Sequence, residues 1–302
     1  MLNIVGKRKW YYAISLLVII PGIISLLLYG LRLSIDFTGG SRIGYQFNKS
    51  VDQKVLSEIR KVFTDEKVTI ATLQPADKDV LIRTSAIDEK KNTIITEKLR
   101  KKLGNFKQES FETIGPTVGA ETTRNAFTSV LISSTLILLY IAITFRKVPK
   151  PTSSWRFGIT TILALLHDVL VLVGVFSLLG HFLHVEVDSL FITALLTVMG
   201  FSVHDTVVVF DRIRENLQKT GAGTFGNVVN ESILQTLVRS LNTSFTAILV
   251  LIALLIFGGE SIRWFIAALL LGTITGTFSS IFNAAPLLVT WHEWDQKRKK
   301  IK

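Results

Sequence analysis

Six apolar runs divide this chain, and each is close to the length that crosses a membrane. They lie at about 11–31, 126–145, 157–181, 187–210, 241–258 and 263–290. A helix rises 1.5 Å per residue, so about 20 apolar residues span a hydrocarbon core of about 30 Å. A water-soluble domain of 302 residues does not accumulate six such runs. They specify an α-helical polytopic membrane protein with six transmembrane helices. The remaining residues form a tail at 1–10, a long insert at 32–125, short loops, a connector at 211–240 and a basic tail at 291–302.

In a bilayer-embedded chain, a net charge of +11 reports orientation rather than nucleic-acid binding. The first run follows Lys7, Arg8 and Lys9, as in a signal sequence. It is too long for a signal core and no small-residue cleavage pattern follows, so it reads as a retained helix. Trp10, Tyr11, Tyr12 and Tyr29 sit at its ends, where interfacial aromatics belong, and Trp155, Trp264, Trp291 and Trp294 do the same elsewhere. Basic residues cluster in the N-terminal tail, in loop 146–156 (Arg146, Lys147, Lys150, Arg156), in 211–240 (Arg212, Arg214, Lys219, Arg239) and in the last tail. Loop 182–186 has none and loop 259–263 has Arg263 alone. Short basic loops stay in the cytoplasm, so both termini are expected there. The 32–125 insert carries 17 basic residues yet falls outside, because long domains translocate regardless of charge.

The insert alternates like a small α+β domain. "SRIGYQF" (41–47) has strand periodicity, and Val51, Val55, Leu56, Ile59 and Phe63 share one helical face. "VTIATLQ" and "DVLIRTS" flank a turn at 75–77, "NTIITEKLRKKLG" forms a second amphipathic helix, and "FKQESFETIG" closes with a strand. The order βαββαβ is the ferredoxin-like arrangement. In the connector, Gly221, Gly223 and Gly226 act as breaks. "NVVNESILQTLVRSL" (227–241) reads as a helix along the membrane surface that feeds the fifth span.

Ionisable residues inside spans are costly, which makes them the first functional candidates. There are two pairs, His167–Asp168 in the third span and His204–Asp205 in the fourth. Asp205 lies about 9 Å from the expected cytoplasmic end of its run, six residues at the helical rise. Arg239 lies at a similar depth, and Asn242, Thr243 and Thr246 follow it at helical spacing as a polar stripe. Burial disfavours a charged carboxylate and a nearby arginine favours it. A group balanced in this way binds and releases a proton as helices move. The alternative for Asp205 is a static hydrogen bond or salt bridge, and for Arg239 a side chain that snorkels to the interface. Asp168 carries both readings equally. His204 points about 100° away from Asp205 on the helix, so adjacency in sequence does not make it a partner. Asp211 and Arg212 belong to the interface.

Gly272 and Gly276 form a G-x-x-x-G which, with Ala268, Ser279 and Ser280, suggests a small-residue packing face. Pro21–Gly22 and Pro286 are expected to kink their helices. "DFTGG" (Asp36, Gly39, Gly40) and "IGPTVG" (Gly115, Gly119) flank the insert, either as hinges on which it swings or as plain turns. The absence of cysteine removes disulfides and thiolate chemistry. No phosphate-binding loop and no metal-ligand motif occurs, so no enzymatic activity, cofactor or metal is expected. "LLHDV" and "SVHDT" lack the glycine-bearing approach of an intramembrane aspartyl protease.

"DFTGG", "IGPTVG", "LLHDV", "TALLTVMGFSVHDTVVVFDRIREN" (193–216) and "SIFNAAPLLV" (280–289), in this order on six spans, resemble the SecF branch of the SecD/SecF family of the bacterial protein-export machinery. The 200–216 stretch is the most specific part. The resemblance implies a resistance-nodulation-division-type membrane unit completed by SecD in the bacterial inner membrane. Such a unit associates with the SecYEG translocon and uses the proton-motive force, or sodium in some relatives, to promote preprotein movement. It also implies ion-coupling roles for the residues matching Asp205 and Arg239. Many relatives carry asparagine where this chain has His204, which either joins the relay or only hydrogen-bonds. The basic tails at both ends read as a separate SecF that needs a SecD partner. A small-solute exporter of the same superfamily is the alternative, disfavoured by the small insert.

Overall fold

The computed structural model describes residues 2–146, 148–149, 151–219 and 224–301. The chain is mostly helical and separates into two compact units, Leu33–Phe127 and the remainder, Met1–Arg32 with Thr128–Lys302. Lys147, Lys150, Gly221 and Gly223 lie outside the described residues.

Six helical stretches of the larger unit and its junctions are long and apolar enough to cross a membrane. They are α1 (Arg8–Tyr29, extended by a 3-10 turn at Val5–Lys7), α5 (Pro116–Thr144), α6 (Ser154–Phe182), α7 (Ser189–Lys219), α8 (Phe225–Phe257) and the pair α9 (Arg263–Phe278) and α10 (Ala285–Ile301). Small residues set the close approaches. A Cβ on Gly22 of α1 would lie 2.8 Å from the Gly174 Cα of α6, and the Ser25 and Ser177 hydroxyls bond across the same seam at 2.8 Å. On α9, a Cβ on Gly272 would lie 2.1 Å from Val198 and one on Gly276 3.0 Å from Ser202, both on α7. The glycine motif therefore packs α9 against α7 at close range. Phe145, Phe157 and Phe210 form a buried aromatic cluster at one end of α5, α6 and α7.

Two helices differ from the expected pattern. The break between a surface helix at 227–241 and the fifth span is absent, because α8 runs unbroken from Phe225 to Phe257. No glycine or proline lies between Gly226 and Gly258 to interrupt it. Its first turns are buried: the amide of Asn216, on α7, donates to Ser232 at 2.8 Å and to Gln235 at 2.9 Å, and Asn230 Oδ1 accepts from the amides of Ile4 and Val5. Likewise α7 continues past residue 210 to Lys219. In the sixth run, the expected kink at Pro286 takes the form of a π turn at Ser279–Ala284 that joins α9 to α10. Proline cannot donate to the carbonyl four residues back and its ring crowds that carbonyl, so the ladder widens ahead of it.

The Leu33–Phe127 unit contains α2 (Ile35–Thr38), β1 (Gly40–Phe47), α3 (Gln53–Asp65), β2 (Ile70–Ala76), β3 (Asp79–Thr84), α4 (Glu89–Leu103) and β4 (Phe106–Ile114). The sheet is antiparallel in the order β2-β3-β1-β4, with Ile43 opposite both Ile82 and Phe111. Alternate residues Ile43, Tyr45 and Phe47 of β1 and Val80 and Ile82 of β3 face a core completed by Ile59 and Phe63 of α3 and Ile95 and Leu99 of α4. Asp52 and Asp88 cap the two helices through the amides of Val55 and Lys91. The two glycine motifs meet here. Gly39 and Gly40 have φ of +68° and +117°, and a Cβ on Gly119 would lie 2.8 Å from the Gly39 nitrogen. Asp36 lies in α2, whose cap Ser34 accepts from the Asp36 amide at 3.1 Å. Gly115 has open space around it.

Candidate functional site

The polar residues of the larger unit converge on α7. Asp205 is buried there, and its Oδ2 lies 3.5 Å from Ser244 Oγ of α8 and 3.5 Å from Thr277 Oγ1 of α9. Those two hydroxyls lie 2.7 Å apart and each also reaches the carbonyl four residues back in its own helix, Ser240 and Thr273. Each hydroxyl has a single proton to donate, so the carboxylate receives two long, shared contacts rather than a tight cradle. Among the described residues no cationic side chain forms an ion pair or hydrogen bond with it.

Asp168 of α6 is fully buried and better held. Its Oδ1 lies 3.0 Å from His167 Nδ1, and its Oδ2 accepts from Ser202 of α7 and, at 2.8 Å, from Ser279 of the π turn. His167 Nε2 is 2.9 Å from Ser15 Oγ of α1, which in turn accepts from Asn283 Nδ2 at 2.8 Å. Among the described residues Asn283 Oδ1 is buried with no hydrogen-bond partner. Beside this chain, Thr206 donates toward Ser280 at 2.9 Å and Ser280 to the Ser202 carbonyl at 2.9 Å. The glycine contacts at 272 and 276 bring Thr277, Ser279 and Ser280 close enough to make these bonds.

The expected site residues divide into two groups. Asp205 and Asp168 lie in the interior and contact opposite sides of the α7–α9 seam. Arg239, Thr243 and His204 are exposed in the isolated chain, as are Asn242 and Thr246. Thr243 donates to the Arg239 carbonyl at 3.0 Å, within its own helix. Arg239 is therefore not beside Asp205. The buried face of α8 is the adjacent one, through Ser232, Thr236, Ser240 and Ser244. Ser15, Ser202, Ser244, Thr277 and Asn283 join the site without an ionisable group or a motif to mark them in the sequence. Their signal was a small hydroxyl or amide recurring at helical spacing in apolar runs, as in Ser240–Ser244 and Thr273–Thr277.

Residues 94–294 match the family described as "Protein export membrane protein SecD/SecF, C-terminal", and residues 24–51 match the "SecD/SecF GG Motif". The protein translocase subunit SecF of Thermobaculum terrenum is 46% identical over 98% of this chain and 95% of its own length. The protein translocase subunit SecDF of Bacillus subtilis is 34% identical over 97% of this chain, which spans 38% of that longer protein. A crystal structure of SecDF, described as a translocon-associated membrane protein, from Thermus thermophilus superposes with a TM-score of 0.80 at 33% identity. It covers 96% of this chain, and the chain spans 38% of it.

Proposed function

We propose that this chain, which belongs to the SecD/SecF family of protein export membrane proteins, is the SecF-type subunit that works with SecD to promote preprotein translocation through SecYEG, driven by the proton-motive force. It is a multi-pass membrane protein of the Sec translocation system. In this reading it resides in the bacterial inner membrane with both termini in the cytoplasm and the Leu33–Phe127 unit outside. Support for that orientation comes from the basic tails and basic loop 146–156. The strand order β2-β3-β1-β4, with one helix after β1 and one after β3, supports a ferredoxin-like identity for the external unit.

Asp205 is the observation that carries the coupling. It is an ionisable group buried in a membrane-length helix, with two long hydroxyl contacts and, among the described residues, no ion pair or hydrogen bond from a cationic side chain. Such a carboxylate is stable when protonated and poorly compensated when charged, so its protonation changes how α7, α8 and α9 pack. A proton moved through 100 mV is worth about 2.3 kcal/mol, enough for a few protons to tilt a conformational equilibrium. Arg239, Asn242, Thr243 and Thr246 on α8 and His204 on α7 are exposed polar groups on membrane-length helices. Lipid tails cannot solvate such groups, and SecD is the partner that covers them, supplying the counter-charge for Arg239. His204, Arg239 and Thr243 thus act at the subunit boundary, while Asp205 acts inside this chain.

The test replaces Asp205 with Asn in the complex with SecD and follows completion of preprotein transport in vesicles with an imposed proton gradient and no ATP. Loss of the gradient-dependent component is expected. Unchanged gradient-dependent transport would reject the coupling role and leave a scaffold, and gradient-driven expulsion of small dyes without an export defect would turn the assignment to a solute exporter.

A further inference from the structure

The His167–Asp168 pair is built differently from Asp205, and its hydrogen-bond directions can be worked through atom by atom. The Asp168 carboxylate faces three groups able to donate: His167 Nδ1 at 3.0 Å, Ser202 Oγ and Ser279 Oγ at 2.8 Å. All three are satisfied when Asp168 is ionised and His167 carries a proton on Nδ1. His167 Nε2 faces the Ser15 hydroxyl. In the neutral ring it accepts from the Ser15 hydroxyl at 2.9 Å, Ser15 accepts from Asn283 Nδ2 at 2.8 Å, and among the described residues Asn283 Oδ1 is left buried with no hydrogen-bond partner. That state holds an uncompensated negative charge in a fully buried position of a membrane-length helix.

We propose that His167 is a second proton-binding site, separate from Asp205, and that Ser15 and Asn283 form a reversible hydrogen-bond wire that reports its charge to α1 and to the π turn. A proton arriving at Nε2 turns the site into a neutral imidazolium–carboxylate pair. The His167–Ser15 bond then reverses, with Nε2–H donating to Ser15 Oγ. The Ser15 hydroxyl donates onward, and the Asn283 amide turns over so that its unpartnered Oδ1 becomes the acceptor. No covalent bond other than N–H forms, and on release the proton leaves Nε2 and the wire returns to its first direction. The groups bonded to the pair come from three neighbouring elements: Ser15 from α1, Ser202 from α7, and Ser279 and Asn283 from the π turn. On α10, Glu293 is engaged with Arg8, Asp295 with Arg156 and Arg298 with the Trp294 ring, while His292 lies tilted against Phe225. Among the described residues no further charged side chain bonds to His167 or Asp168. Asp205 has its own partners on α8 and α9, so this inference does not depend on its coupling role.

The experiment is nitrogen NMR of the full chain with SecD in lipid nanodiscs, with isotope-labelled histidine. The chain has five histidines, and His167→Gln assigns the signal of interest. As the pH of the nanodisc sample is varied, both the His167 imidazolium and the neutral Nδ1–H tautomer are expected to be seen. Asn283→Leu should lower the proton affinity of that ring about tenfold, because the acceptor at the far end of the wire is gone. Asp205→Asn should leave that affinity unchanged. A His167 ring that stays neutral, or stays imidazolium, across the whole range overturns the proposal. So does a neutral Nε2–H tautomer, which cannot donate to Asp168, or a titration abolished by Asp205→Asn. Because the wild-type protein supplies the primary readout, a variant that fails to assemble does not rescue the idea.

Discussion

Gly272→Ala should separate α9 from α7 and draw Thr277 away from Asp205 and Ser279 away from Asp168. The added methyl carbon would lie 2.1 Å from Val198 Cγ2 and 2.6 Å from Cγ1. The first contact is about 1.4 Å inside the usual carbon–carbon distance. Val198 is buried, so its side chain has little room to turn and the helices must part by a large fraction of that overlap. Overpacking of this kind costs about 1–3 kcal/mol. The functional effect exceeds the stability effect because Ser279 reaches Asp168 across 2.8 Å and Thr277 reaches Asp205 across 3.5 Å, so a shift of about 1 Å takes both beyond hydrogen-bond range. Val198→Ala removes the two methyl groups at 2.1 and 2.6 Å and leaves its own Cβ 2.9 Å from the new carbon, so most of the overlap is relieved. The double variant should therefore be more stable than the sum of the single changes by about 0.5–3 kcal/mol. The assay is thermal unfolding of the two single variants and the double variant in detergent, with gradient-driven preprotein transport in vesicles as the second readout. Wild-type stability in Gly272→Ala, or strictly additive single changes, would refute the argument that this contact sets the α7–α9 distance.

Three further outcomes can be checked. Gly40→Ala should destabilise the Leu33–Phe127 unit by about 1–3 kcal/mol, because φ is +117° there and a Cβ would lie 2.6 Å from the Thr84 carbonyl oxygen; limited proteolysis at β1 reads the effect. Glu66 is held at a pKa of about 2 by hydrogen bonds from Lys91 and Lys98, below an ordinary value of 4.5. The group is depressed in the folded state, so its stabilisation is present above pH 4.5 and lost as pH falls toward 2. The difference in amide exchange of α4 between wild type and Glu66→Gln should vanish over that window. Arg239→Gln should weaken co-purification with SecD while leaving the thermal stability of the isolated chain unchanged, because the side chain is exposed; a destabilised isolated chain would show that Arg239 has an internal partner.

Much of the architecture was legible because the signals are long and local. Six membrane-length apolar runs follow from residue count and helical rise. The alternation in "SRIGYQF" and the helical faces around Ile59 and Ile95 are periodicities that burial enforces. Asp205 and Asp168 stood out because an ionisable group in an apolar run is rare. Boundaries were less legible. The glycines of the connector suggested an interrupted segment, yet α8 is one helix, since propensity within 227–257 contains nothing that stops it.

What only the tertiary structure decided is which face of each helix looks inward. Arg239 and Ser240 are one residue apart, and one residue rotates the face by about 100°. The sequence determines that α8 has a stripe through Arg239, Asn242, Thr243 and Thr246 and a second one through Thr236, Ser240 and Ser244. In water the more polar stripe would face out by default. In a bilayer, polarity alone does not rank the two, because either can be covered by protein. Close packing at Gly272 and Gly276 brings α9 against α7, and the contacts there put Ser244 and Thr277, rather than Arg239, within reach of Asp205. The same geometry turns Ser279 toward Asp168 and Asn283 toward Ser15, through a π turn that Pro286 provokes but whose inward residues no periodicity could name.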